Sequence, residues 1–186
     1  MLTKKLFNRS FLINRKGKVI YKYDKIHMYD VKISKQQFYQ DSKTYESDKS
    51  AKIAKLKVNR KYYKIGMTIC YDLRFQHLFR DLALNGADLI TVLSVFMHIT
   101  GKHHWHILLK ARAIETGCYI ITPAQYGQYF IKEILWSLFN GFTMGEILKD
   151  AKTEKNIIIT DIDKRQIEIA RSKIPSLFIN KKYKIS

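Results

Sequence analysis

The sequence has few cysteines and prolines, few acidic residues and no long apolar run. Two cysteines, Cys70 and Cys118, cannot form a disulfide framework, and no metal-binding Cys/His spacing surrounds them. No stretch approaches the roughly 18 apolar residues that a membrane span requires, and the apolar segment 11–13 is too short for a secretory signal. These absences predict a cytoplasmic protein with no membrane span, no metal and no cofactor.

The two prolines form no linker, and no internal repeat divides the chain. A length of 186 residues, of which 46% are hydrophobic, is enough to bury one sizeable core. We therefore predict a single domain over residues 1–186.

The scarcity of acidic residues leaves 34 Lys and Arg against 16 Asp and Glu, a formal net charge of +18. Such an excess attracts nucleic acids and other anionic surfaces. The basic residues are scattered, however, and no zinc-finger, RRM-type or helix-turn-helix pattern accompanies them. We interpret the charge as a solvated, lysine-rich surface and do not expect nucleic acid as a partner. Electrostatic nucleic-acid binding is the alternative.

Strand and helix periodicities alternate along the chain, which is typical of α/β proteins. Residues 10–13 and 19–23 are predicted to form a hairpin around a turn at residues 14–18. The polar, lysine-rich segment 31–60 shows no clear period and is interpreted as a long loop. Further strands are predicted at residues 62–70, 88–95, 118–122 and 156–161, and helices at residues 77–85 and 105–115.

Cys70 ends an apolar, strand-like run and is followed at once by a charged, helix-compatible stretch. A thiol in this position lies at a strand end above a helix N-terminus. Unpaired backbone N–H groups there favour a thiolate and can hold a developing oxyanion. The alternative is a buried core cysteine, because free cysteine is among the most buried residue types.

A thiol nucleophile also needs a base and a positive charge or N–H donors for the oxyanion. Lys25 stands at a predicted strand end and can supply the charge, and Glu46 is a candidate carboxylate. Their separation in sequence does not show whether they meet Cys70 in space.

The chain resembles the nitrilase or carbon–nitrogen hydrolase superfamily, most closely its omega-amidase or deaminated-glutathione-amidase-like branch. The match is best over residues 6–125 and weaker over residues 126–186. Several of the family's motifs occur in the correct order: Asn8-Arg9-Ser10, residues 23–30 around Lys25, Glu46-Ser47, residues 66–75 around Cys70, Gly86-Ala87-Asp88, Thr100-Gly101, His104-Trp105, residues 111–116, Arg171 and residues 174–177.

This resemblance implies an αββα sandwich that often forms a homodimer, and cysteine-dependent hydrolysis of a small amide to an acid and ammonia. Cys70 would attack the amide carbonyl, and Lys25 would stabilise the oxyanion together with the backbone N–H of Tyr71. Glu46 would match a supporting glutamate that positions the lysine and the substrate. Arg74 would suit an anionic substrate.

The chain departs from the family pattern before the lysine motif. The family's general-base glutamate lies in that region, whereas Asp24 is the sole acidic residue among residues 1–24. We therefore expect an N-terminally truncated sandwich without the first strand–helix units. A catalytically inactive remnant or an interaction subunit of the same fold is the alternative to an active amidase. Within residues 135–145, Ser137 and Gly145 are the candidate matches to a blurred family motif.

Other polar residues have structural interpretations. His27 is expected to pack and hydrogen-bond, and Asp72 and Arg74 to pair and shape the turn after Cys70. The close spacing of the histidines in residues 103–106 converges poorly on a metal, so surface or structural roles are preferred. Cys118 lies in a predicted buried strand and is interpreted as a core residue.

Overall fold

The computed structural model describes residues 6–125, 134–135, 139–141, 144–150 and 157–185. In chain order, the strands are β1 Arg9–Ile13, β2 Val19–Asp24, β3 Asp30–Lys32, β4 Phe38–Gln40, β5 Lys52–Val58, β6 Lys61–Ile69, β7 Leu89–Leu93, β8 Phe96–Met97, β9 Tyr119–Thr122, β10 Ile134–Leu135, β11 Phe139–Gly141 and β12 Ile147–Asp150. The α-helices are α1 Gln76–Leu84, α2 His98–Thr116 and α3 Lys164–Lys173, and 3-10 turns span Asp41–Lys43, Cys70–Arg74 and Pro175–Phe178.

A six-stranded sheet in the order β12-β11-β9-β7-β6-β5 forms the centre of the fold. Its strands β6, β7 and β9 are parallel neighbours, and α1 and α2 are the crossover connections between them. The remaining strands form three two-stranded pairs: β1 with β2, β3 with β4, and β8 with β10. This architecture confirms the predicted α/β class.

Each face of the central strands packs against a different layer, because successive side chains of a strand point to opposite faces. Ile90 and Val92 of β7 belong to one core cluster, which includes Phe79 of α1 and Trp105 of α2. On the other face, side chains of β6 pack with Tyr23 of the β1–β2 hairpin and Ile167 of α3. The hairpin that ends next to Lys25 is thereby held against the sheet.

Gly66 sets the close approach of α1 to the sheet. A Cβ atom at this position would lie 3.1 Å from both Ile90 Cγ1 and Leu82 Cδ1. The absence of a side chain at Gly66 therefore lets Leu82 pack directly over β6, the strand that ends at Cys70.

Two predictions from the sequence are wrong. Residues 31–60 are not a structureless loop, because β5 pairs along its whole length with β6 and a short β3–β4 hairpin precedes it. The strand predicted at residues 156–161 is not formed within the described residues 157–161. Ile157 and Ile159 there are 85% and 76% exposed, so the apolar side chains that suggested a strand are not packed.

In the parts of the chain that the structure describes, no helix has the length and apolarity needed to cross a membrane.

Replacing Leu109 tests the packing of α2 on the sheet. Leu109 is fully buried, so Leu109→Ala should lower the free energy of unfolding by about 2–5 kcal/mol through lost contacts and a cavity. Lys110 on the same helix is exposed, and Lys110→Ala should change this free energy by no more than about 0.5 kcal/mol. Urea denaturation measures both, and equal effects would contradict the described orientation of α2.

Candidate active site

Cys70 lies at the carboxyl end of β6 in a sparsely populated backbone conformation. Its φ angle is +49°, in the left-handed region that non-glycine residues rarely adopt. The residue starts the 3-10 turn Cys70–Arg74, so the chain reverses sharply at the sulfur-bearing position. Such strain at a reactive side chain is characteristic of functional sites. Cys70 is half-buried rather than sealed in the core.

Lys25 directly follows β2 and is held by the neighbouring strand. Its backbone N–H donates to the Asn8 carbonyl at 2.9 Å. The side chain is buried, and Nζ lies 2.9 Å from Oδ2 of Asp41. Because an unpaired buried ammonium is costly, the Asp41 carboxylate stabilises the charged form of Lys25 in this position.

Cys70 and Lys25 line one cavity of about 580 Å³. Tyr71 and Arg74, from the turn after Cys70, also line it, as does Asp41. The structure therefore brings four of the five predicted site residues to a common space. Glu46 is not among the described lining residues of this cavity.

The carboxylate that contacts Lys25 is Asp41, and sequence reasoning missed it. Glu46 is exposed, and its backbone N–H donates to the Leu6 carbonyl at 2.8 Å. The sequence does contain a signal, because Asp41-Ser42 offers the same acid–serine pair as Glu46-Ser47 five residues earlier. The geometry therefore gives the predicted lysine-supporting contact to Asp41 instead of Glu46.

Burial and the neighbouring Lys25 charge act in opposite directions on the pKa of the Cys70 thiol. Burial raises the pKa of Cys70, and the Asp41 and Asp72 carboxylates act in the same direction. The Lys25 charge lowers the pKa but does not offset burial. The Sγ atom lies 3.4 Å from the Val95 carbonyl oxygen, to which the thiol donates. Because the thiolate is the nucleophilic form of cysteine, nucleophilic attack by Cys70 would require a base that removes the thiol proton.

Asp72 connects the turn after Cys70 to the hairpin that carries Lys25. Its carboxylate is fully buried and accepts hydrogen bonds from Tyr23 Oη at 2.7 Å and from the Ile69 N–H at 2.9 Å. The His27 N–H donates to it at 3.1 Å, and His27 Nδ1 lies 2.8 Å from it. The His27 ring stacks on Phe75, which agrees with the structural role predicted for His27.

The structure uses Asp72 and Arg74 differently from the ion pair that we predicted. Asp72 points into the interior, whereas Arg74 lies at the cavity, with Nη2 3.2 Å from Nδ1 of His104. The Arg74 guanidinium is 5.9 Å from the centroid of the Tyr71 ring. The two side chains separate because a fully buried carboxylate needs several donors at once, and the hairpin supplies them.

Aromatic rings form one wall of the cavity. Tyr29 contacts Tyr71 at a centroid distance of 4.9 Å and Tyr39 at 5.2 Å, and all three residues line the cavity. Together with Arg74, they provide apolar walls and a positive charge. Such a site suits a small organic molecule with an anionic end.

The remaining predicted residues lie elsewhere. Cys118 is fully buried in the core, as predicted, with its sulfur 3.2 Å from Nη2 of Arg171. His106 pairs with Asp150 at 3.0 Å. In the described parts of the chain, no three His, Cys, Asp or Glu side chains converge as metal ligands. Ser137 lies outside the described residues, and Gly145 has a φ of +84°.

A strand-end cysteine and a buried lysine on one cavity define a candidate thiol-dependent hydrolase site, and sequence comparison agrees with this class. Residues 3–172 match the carbon-nitrogen hydrolase family, and the chain belongs to this family. The resemblance inferred from the motifs is thereby confirmed.

Among curated proteins, the chain is similar to the deaminated glutathione amidase of Synechocystis, with 34% identity over 178 residues. That alignment covers 93% of this chain and 63% of the relative. The human deaminated glutathione amidase is 41% identical over 130 residues, which cover 70% of this chain and 39% of the relative. The chain thus spans less than two thirds of the length of these relatives.

Solved structures share the fold. Saccharomyces cerevisiae Nit3, a member of branch 10 of the nitrilase superfamily, has 27% identity and a TM-score of 0.78, covering 92% of this chain and 58% of that one. The Caenorhabditis elegans NitFhit protein has 25% identity and a TM-score of 0.84, covering 95% of this chain and 42% of that one.

The pH dependence of alkylation tests the electrostatics of Cys70. Because its pKa is raised, the thiolate fraction and the rate with iodoacetamide should rise through a midpoint above the ordinary cysteine pKa. Lys25→Met removes a charge that lowers this pKa, so the midpoint should move to higher pH. Peptide mass spectrometry separates Cys70 from the buried Cys118, which should react slowly throughout. A midpoint below the ordinary value, or one that Lys25→Met leaves unchanged, would contradict this account.

Proposed function

We propose that the protein is a cysteine-dependent amidase that hydrolyses a small amide to a carboxylic acid and ammonia. The observation that carries the proposal is the shared cavity of Cys70, strained at a strand end, and the buried ammonium of Lys25. Membership of the carbon-nitrogen hydrolase family supports the same chemistry.

In the proposed reaction, Cys70 Sγ adds to the amide carbonyl and forms a tetrahedral oxyanion. Lys25 and the backbone N–H of Tyr71 stabilise the oxyanion. The C–N bond then breaks, and the nitrogen takes up the proton released by the thiol and departs as ammonia. The acyl group remains bound to Cys70 as a thioester. Water hydrolyses the thioester, which gives the acid and restores the thiol.

The scheme also requires a proton acceptor for the Cys70 thiol. The family resemblance assigns this role to a glutamate before the lysine motif, but Asp24, the acidic residue available there, binds Arg9 at 2.7 Å. Among the described residues that line the cavity, Asp41 is the only one with a carboxylate side chain. This carboxylate is paired with Lys25 at 2.9 Å, so its proposed role is to position the lysine. An inactive interaction subunit of the same fold is the alternative.

The cavity favours an amide that also carries a carboxylate. Arg74 supplies a positive charge at the cavity, and the tyrosine wall suits a short carbon chain. Relatives named deaminated glutathione amidase support a substrate of this class. We therefore propose that the substrate is a small anionic amide.

The domain organisation, cellular location and oligomeric state of the protein are also proposals. We propose that residues 1–186 form one carbon–nitrogen hydrolase-like domain, that the protein works in the cytoplasm and that it forms a homodimer. Both described cysteines are free, which suits a reducing compartment. Ile107 and Ile114, seven residues apart on α2, are 68% and 54% exposed and offer an apolar stripe for self-association.

Ammonia release tests the amidase proposal. We expect turnover of primary amides that carry a carboxylate, such as succinamate, in preference to neutral amides of equal length, because Arg74 pairs with the anionic end. Cys70→Ala should abolish turnover, whereas Cys118→Ala in the core should retain it. A folded chain that binds succinamate but releases no ammonia would favour the interaction-subunit alternative.

A comparison of two carboxylates tests which of them supports Lys25. Asp41→Asn should lower kcat by up to about 10²-fold, because a poorly positioned lysine weakens oxyanion stabilisation. Glu46→Gln should leave kcat near the parental value, since Glu46 is exposed. The Cys70 alkylation midpoint should fall in Asp41→Asn, where a charge that raises the pKa of Cys70 is lost. Loss of activity in Glu46→Gln alone would restore the role predicted from sequence.

A further inference from the structure

Ser10 has a buried hydroxyl that is left unpaired. The residue is 5% exposed, and among the described residues its Oγ has no hydrogen-bond partner. Leaving a buried hydroxyl unsatisfied costs free energy, so native structures rarely retain one without a role. Ser10 also lines the cavity that contains Cys70 and Lys25.

The hairpin places Ser10 on the same face as Lys25. Ser10 is the buried position of β1, and its partner in register is Tyr23 of β2. Residues that pair directly across two strands share a face, so Ser10 lies on the inner face of the hairpin with the buried Tyr23. Two residues further along each strand, Asn8 and Lys25 are joined by a backbone hydrogen bond.

We propose that Ser10 is a substrate-binding residue whose hydroxyl oxygen accepts a hydrogen bond from the amide NH₂ group. The inference rests on the proposed amidase function and adds a specificity contact to it. In the proposed complex, Lys25 and the Tyr71 N–H bind the carbonyl oxygen, which leaves the two N–H donors of the amide in need of acceptors. A serine oxygen is one such acceptor. An ester of the same shape has no such donor.

Ser94 is a natural comparison for Ser10. It lines the same cavity and is 6% exposed, but its Oγ donates to the Val92 carbonyl at 3.4 Å. Removing the Ser94 hydroxyl loses a bond within the protein, whereas removing the Ser10 hydroxyl relieves an unsatisfied group. Ser10→Ala should therefore leave the melting temperature equal or higher, and Ser94→Ala should lower it.

Binding selectivity tests the proposal without turnover. In a Cys70→Ala background, calorimetry would compare succinamate with monomethyl succinate, its close ester analogue. Ser10→Ala should weaken succinamate binding by about three- to tenfold, as expected for one neutral hydrogen bond. Monomethyl succinate binding should not change. Ser10→Thr keeps an acceptor oxygen and should keep the preference for the amide.

The outcomes separate this inference from the proposed function. One outcome is that succinamate binds, but Ser10→Ala weakens the binding of both probes equally or of neither. Ser10 then does not recognise the amide group, and the inference is overturned. If neither probe binds in the Cys70→Ala background, the proposal of a small anionic amide substrate is refuted. The proposed contact between Ser10 and that substrate is then refuted as well. A fall in melting temperature for Ser10→Ala as large as for Ser94→Ala would also count against an unpaired hydroxyl.

Discussion

The buried carboxylate of Asp72 joins the segment that carries Cys70 to the segment that carries Lys25. A desolvated carboxylate is stable only when donors surround it, and Asp72 obtains these from the Ile69 N–H before Cys70 and from Tyr23 and His27 on either side of Lys25. A shift of the hairpin relative to β6 would leave this charge unsatisfied. The relative position of thiol and ammonium is therefore fixed by an interaction that lies outside the cavity.

Within the cavity, positive and negative charges partly offset each other, although basic residues are in excess in the whole chain. The chain carries a net charge of +18, yet the Lys25 ammonium at the cavity is paired with Asp41 at 2.9 Å. Lys25 therefore lowers the pKa of Cys70 less than an isolated cation would, and burial dominates. Arg74 remains at the cavity as the cation suited to an anionic group.

The site is assembled from three kinds of local structure. Cys70, a residue with a left-handed backbone conformation, directly follows the parallel strand β6, and Lys25 directly follows an antiparallel hairpin. The supporting Asp41 comes from a short 3-10 turn. Rigid strands hold the first two, and Asp41 is positioned through its contacts with Lys25 and with the Tyr29 N–H at 3.2 Å. Together these elements explain how residues far apart in sequence share one small cavity.

The sequence by itself determined the elements whose signals are local. The apolar run that ends at Cys70, the helix that ends before Gly86 and the hairpin that precedes Lys25 could all be predicted, because periodicity and turn chemistry act over a few residues. Tertiary structure decided the rest. The lysine-rich β5 becomes a strand through its pairing with β6, which composition does not reveal. The choice of Asp41 over Glu46 depends on which carboxylate reaches Nζ in space, and two acid–serine pairs five residues apart cannot be distinguished by sequence alone.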